Sequence, residues 1–164
     1  MKKLSALVAL SLCAVATTSA NAQTCAAAVT IQSNSSYVSN TTGTTNWMTQ
    51  FGPLVSGAND MLYTFVAGAQ PLGTITPTSS DYTFAMYLIP SCSDSGSEPT
   101  PIRSTATVGS PITLADPPPA GQPSITAGNT YYLAVTGTAA SGANGTVNFD
   151  TTTLPVTLQS FEVN

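Results

Sequence analysis

The feature that most constrains this chain is a period of two. Short runs in which apolar side chains fall at every second place recur along it, each closed off by Gly, Pro, Asn or Asp. Alternation of that kind puts one face of a β-strand inward and the other outward. The strongest run is DYTFAMYLI (81–89). Tyr82, Phe84, Met86 and Leu88 face one way, and Ala85, Tyr87 and Ile89 the other. Being apolar on both sides, it is expected to be a central strand. MLYTFVA (61–67) and NTYYLAVTG (129–137) are clear strands. AAAVTIQS (26–33), PLGTITPT (71–78), TVNFDTT (146–152) and the weaker NWMTQF (46–51) add to the count. Good helix formers are scarce throughout.

The spacing predicts a hairpin joining 61–67 to 71–78, and another joining 129–137 to 146–152. Ser91 to Gln122 reads as a long Ser-, Pro- and Gly-rich loop with only PITL (111–114) extended. Loops of that length are uncommon unless functional or mobile. No internal repeat and no linker dividing two domains is visible. The expected fold is all-β: a single antiparallel β-sandwich of jelly-roll or immunoglobulin-like type, seven to eight strands, with one disulfide.

The start is of a different kind. MKK is basic, LSALVALSLCAVA is apolar, and Ala20-Asn21-Ala22 is a small-x-small ending. Residues 1–22 are expected to be a cleaved signal peptide, residues 23–153 the sandwich, and residues 154–164 a C-terminal strand. The apolar run is too short to span a bilayer, and no second one follows, so no membrane insertion is expected. The product is expected to be secreted, extracellular or at the surface of a bacterial cell.

From residue 23 onward Arg103 is the only basic side chain, against seven acids, a side-chain charge of −6. Nucleic acid is excluded as a partner, since phosphate binding needs several Lys or Arg. Hydroxyls take the place of charge: 16 Ser and 25 Thr lie in the same stretch. Such a surface does little to repel copies of itself. Asn34, Asn40 and Asn144 sit in N-x-Ser/Thr sequons, which allow glycosylation. Cys25 and Cys92 are the two cysteines beyond the leader, and in an exported chain they most simply pair. That bond would close a loop worth about 4 kcal/mol in chain entropy and pin the N-terminus to the body.

Catalytic chemistry finds few footholds. There is no His, and no Lys beyond Lys3. That removes Ser-His-Asp and Cys-His nucleophiles, Schiff bases and His-ligated metals. A carboxylate pair such as Asp60 with Asp81 is open in principle. So is calcium on Asp60, Asp81 or Asp150. The plainer reading is that these Asp side chains cap turns. No enzyme activity, cofactor or metal is expected. Most aromatics lie in strong strands and read as core. Trp47, in the weak strand, is the one singled out for ligand contact, with core packing as the favoured alternative.

Two stretches resemble a known family. LYTFVAGAQPLGTITPTSSDYTFAMYLIPSC has an aromatic-x-Phe strand, an Ala-Gly turn, an extended strand, then Ser-Asp and a strand ending in Tyr-Leu. ITAGNTYYLAVTG and GTVNFDTT follow with an Ala-Gly turn before Tyr-Tyr and a Gly-led strand. Together they resemble the bacterial pre-peptidase C-terminal domain over residues 59 to 152. The resemblance implies a non-catalytic β-sandwich module, of a kind that aids secretion or adheres to polymers, with calcium bound in some relatives. No peptidase precedes it here.

The closing stretch, LPVTLQSFEVN, alternates again: Leu154, Val156 and Leu158, then Phe161 and Val163 after a one-residue slip. Either it closes its own domain or it pairs with a neighbouring subunit, with Thr151-Thr152-Thr153 as hinge. Burying five apolar side chains at about 1.5–3 kcal/mol each would give roughly 7–15 kcal/mol before ordering costs. With no reactive group elsewhere, the chain reads as a non-enzymatic structural subunit. It is expected to self-assemble with other copies into a filament or matrix by strand donation. The alternative is a stand-alone polymer-binding module whose partner is a polysaccharide.

Overall fold

The period-two segments become strands. The computed structural model describes residues 16–17, 24–69, 72–138 and 142–154. In chain order the strands are β1 (Ala16–Thr17), β2 (Val29–Thr30), β3 (Ser36–Asn40), β4 (Gln50–Phe51), β5 (Leu54–Val55) and β6 (Asp60–Val66). Then come β7 (Thr74–Ser80), β8 (Phe84–Ile89), β9 (Ser97–Glu98), β10 (Arg103–Thr105), β11 (Ile112–Thr113), β12 (Thr130–Gly137) and β13 (Thr146–Thr151). One 3-10 turn, Cys25–Ala27, precedes β2, and the Thr24 hydroxyl accepts from Ala27 N at its start. Among the described residues no helix is long and apolar enough to cross a membrane.

The strands form a β-sandwich. One sheet has the order β1-β3-β13-β7-β11 and the other β10-β8-β12-β6-β2. The long pairings are antiparallel; the short β1–β3, β2–β6 and β4–β9 contacts are parallel. Between the sheets lies the core. Tyr37, Ile75, Val147 and Phe149 come from the first sheet, and Met61, Tyr63, Phe65, Met86, Leu88, Leu133 and Val135 from the second. Phe149 stacks on Tyr37 (5.2 Å) and meets Tyr63 edge-on (5.1 Å), so aromatic contacts join the two layers. The disulfide joins Cys25 to Cys92.

A third, smaller layer explains why β8 is apolar on both faces. β5, β4 and β9 form a separate three-stranded sheet. Its Phe51, with Met48 just before it, packs on Leu62, Ile89 and Ala134, the side chains of β6, β8 and β12 that point away from the main core. The second sheet is therefore covered on both sides, and we call it the covered sheet. The outward residues of the other include Ser36, Val38, Asn40, Thr76, Asn148 and Asp150, all exposed or half-buried. We call it the open sheet.

Both expected hairpins are absent. β6 belongs to the covered sheet and β7 to the open one; β12 and β13 are divided in the same way. In each case the chain has changed sheets between one strand and the next. After β6, Ala67 N still bonds Asn129 O on the covered side (2.8 Å), whereas Gly73 N already bonds Thr153 O beside the open sheet (2.8 Å). Alternation tells which side chains share a face, not which sheet the face belongs to. The expected strand at 26–33 is largely the 3-10 turn plus two strand residues, and that at 46–51 shrinks to Gln50–Phe51.

The long segment from Ser91 is not a bare loop. It holds β9, β10 and β11, tied down by Arg103. The residue is 4% exposed, and its guanidinium donates to Ile102 O (2.7 Å), Pro123 O (2.7 Å) and Thr113 O (3.3 Å). Burial lowers its pKa from the usual value. Charge-assisted bonds to carbonyls of its neighbour Ile102, of β11 and of the segment beyond it act as a staple.

Candidate functional site

The margin of the open sheet is the first candidate. Within residues 23–164, β3 is the last described strand on that side; beyond it sits only β1, with Ala16 opposite Tyr37 and Thr17 opposite Val38. β1 lies inside the stretch that reads as a signal peptide. A sheet margin offers backbone N–H and C=O groups to an incoming strand. Tyr37 and Ser39 point inward, while Ser36, Val38 and Asn40 point outward. No charged residue lies in β3. The sequon residues Asn34 and Asn40 are exposed at its two ends.

The end of the chain begins beside that margin. β13 runs antiparallel to β3, pairing Asp150 with Ser36. The expected hinge is stitched into the fold instead. Thr151 N donates to Ser35 O (2.8 Å) and its hydroxyl to Gln32 O (2.6 Å). Thr152 N donates to Thr74 O (2.9 Å). Leu154 is 2% exposed and packs in the main core. Of the five residues assigned to the self-assembly strand, Leu154 thus serves its own domain. Val156, Leu158, Phe161 and Val163 lie outside the described residues.

The second candidate is the acidic set, and the structure gives most of it to turns. Asp81 Oδ1 accepts from Thr146 N (2.6 Å) and Asp94 Oδ1 from Cys25 N (2.7 Å). The buried Glu98 accepts from Ser93 N (2.9 Å). Asp60 is fully buried, and its Oδ2 accepts from Trp47 N (2.9 Å) and Met48 N (2.8 Å). Burial pushes its carboxyl up to about 6, against the pull of the Met48 and Trp47 N–H groups and the Thr136 and Ser56 hydroxyls. Asp60 thus holds the segment that carries Met48 and Phe51 onto the covered sheet. Both hydrogen bonds that reach it come from backbone N–H groups to Oδ2, and Oδ1 is buried without a hydrogen-bond partner among the described residues.

Trp47 is half-buried against the same secondary core, on which Ala28, Cys92 and Tyr132 also pack. Cys25, Cys92 and Asp94 bring three potential metal-ligand atoms together, but the two sulfurs are bonded to each other. No protein-family model, curated protein or solved structure matches the chain. The likeness to the pre-peptidase C-terminal domain therefore rests on the strand sequences quoted above.

Proposed function

We propose that the chain, freed of its first 22 residues, is a non-enzymatic, exported structural subunit. It adds its C-terminal strand to β3 of a neighbouring copy and so builds a filament or matrix. The observation that carries this reading is the β3 margin: it is uncharged, and among the described residues the one strand beyond it comes from the segment to be removed. Losing β1 leaves a row of backbone groups to pair, and a donated strand supplies the partners. The donor starts after Leu154. Burying Val156, Leu158, Phe161 and Val163 contributes roughly 6–12 kcal/mol before ordering costs. The contact is head-to-tail, so it propagates unless its rotation closes a ring.

Electron microscopy and sedimentation of residues 23–164 test it. Fibres are expected, and deletion of 155–164 is expected to leave a monomer with an unchanged melting temperature. Val38→Lys, which puts a charge on the acceptor strand, should raise the critical concentration roughly tenfold, about 1.4 kcal/mol. Fibres that survive the deletion, or a full chain that stays monomeric, refute strand donation.

A further inference from the structure

The third layer does not cover the whole outer face of the covered sheet. It stops at β5, and between β5 and the turn after β10 a groove of about 540 Å³ remains. That is within the usual size range of small-molecule sites. Its floor is the outward side of β8 and β10: Ala85, Tyr87 and, paired across from Tyr87, Ser104. Leu54, 42% exposed, forms one wall. The other wall is formed by Thr107, Ser110 and Pro111, the first two exposed residues that bear hydroxyls.

We propose that this groove binds a neutral saccharide, a short stretch of an uncharged polysaccharide chain. Every polar side chain that lines it is a hydroxyl, and no charged residue does. Hydroxyls both donate and accept, which suits a ligand made of hydroxyls. A phosphate or carboxylate would find no cation, because Arg103 does not line the groove and is buried with three of its N–H groups on carbonyls. An ammonium would find no carboxylate in the lining. A wholly apolar occupant would strip water from the wall hydroxyls without replacing its hydrogen bonds. A pyranose ring presents C–H groups on one side and hydroxyls at its rim. The half-buried Tyr87 ring and Leu54 can take the first, and the walls the second.

The groove is also built in advance. Phe51, fully buried, packs against the Tyr87 ring at 4.7 Å. Arg103 fixes β10, and the far wall is docked by Gly109 N on Pro77 O (2.8 Å) and Ser110 N on Thr107 O (3.1 Å). A preformed site loses little freedom on binding. Trp47 does not line it. The groove lies on the opposite sheet from β3, so the assignment rests on no part of the assembly reading.

Residues 23–164 can be applied to amorphous cellulose, chitin, β-1,3-glucan and starch, with bound and free protein measured at several concentrations. Retention on at least one is expected, weakened at least tenfold in Tyr87→Ala and in Thr107→Trp. The second variant fills the groove from an exposed position and leaves the core untouched, so it remains informative if Tyr87→Ala unfolds. Trp47→Phe should bind as the parent does. Retention on none of the four, retention indifferent to both groove variants, or competition by a peptide of residues 155–164 but not by oligosaccharide would each overturn the proposal.

Discussion

The open and covered sheets share one core but differ in what lies behind them. In the covered sheet, the strands DMLYTFV, FAMYLI and TYYLAVTG put apolar groups on both faces, because Met48 and Phe51 seal the outer one. In the open sheet, TVNFDT and the TITP half of β7 alternate, with Thr, Asn and Asp outward, and the pattern lapses at Thr78, where the register with β13 shifts. Two-sided hydrophobicity within an otherwise alternating chain thus signals a further layer, even when that layer is made of two-residue strands.

Breaking the cover should have the largest effect. Phe51→Ala, which leaves a cavity over Leu62 and Ile89, is expected to cost about 3–5 kcal/mol in urea unfolding. It should also loosen Tyr87. A shift below 1 kcal/mol would mean that the third layer is ornamental and that the two sheets are alike.

The next effect is pH-dependent and belongs to Asp60, which ties the cover down. Its folded pKa of about 6 lies above the ordinary 3.8. Between those values the folded protein retains a proton that the unfolded chain has released. Stability from this group is therefore greatest below about pH 4 and declines as pH rises to about 6, by at most roughly 3 kcal/mol. Urea midpoints at pH 4, 5, 6 and 7 should show the decline, and Asp60→Asn should flatten it. A parent curve that rises over the same interval would exclude a protonated Asp60. The smallest effect is expected on the open face: Thr76→Ala should change stability by no more than about 0.5 kcal/mol.

The strands themselves were legible because alternation is local. Residues 61–67, 81–89 and 129–137 are found nearly where the pattern puts them. The pairing of strands was not legible. Ala67 and Gly73 bond to opposite sheets, and that depends on contacts with Asn129 and Thr153, far along the chain. The groove was hidden for the same reason, since its lining comes from positions 54, 85, 87, 104–107, 110 and 111. Tyr87 gave no signal of its own, reading as one more aromatic in a strong strand. Arg103 was conspicuous as a lone cation, yet its binding of three carbonyls could not be read from composition. At the other end, the alternation that begins at Leu154 does not reveal that its first member is already committed to the core.

The inward-turned guanidinium of Arg103 has a consequence for how two copies meet. Among residues 23–164 no other basic side chain exists, so the side-chain charge that one copy shows another is carboxylate. Their long-range repulsion is weak and is screened at higher ionic strength. Sodium chloride should therefore tighten any contact between copies, the opposite of what it does to partners joined by ion pairs.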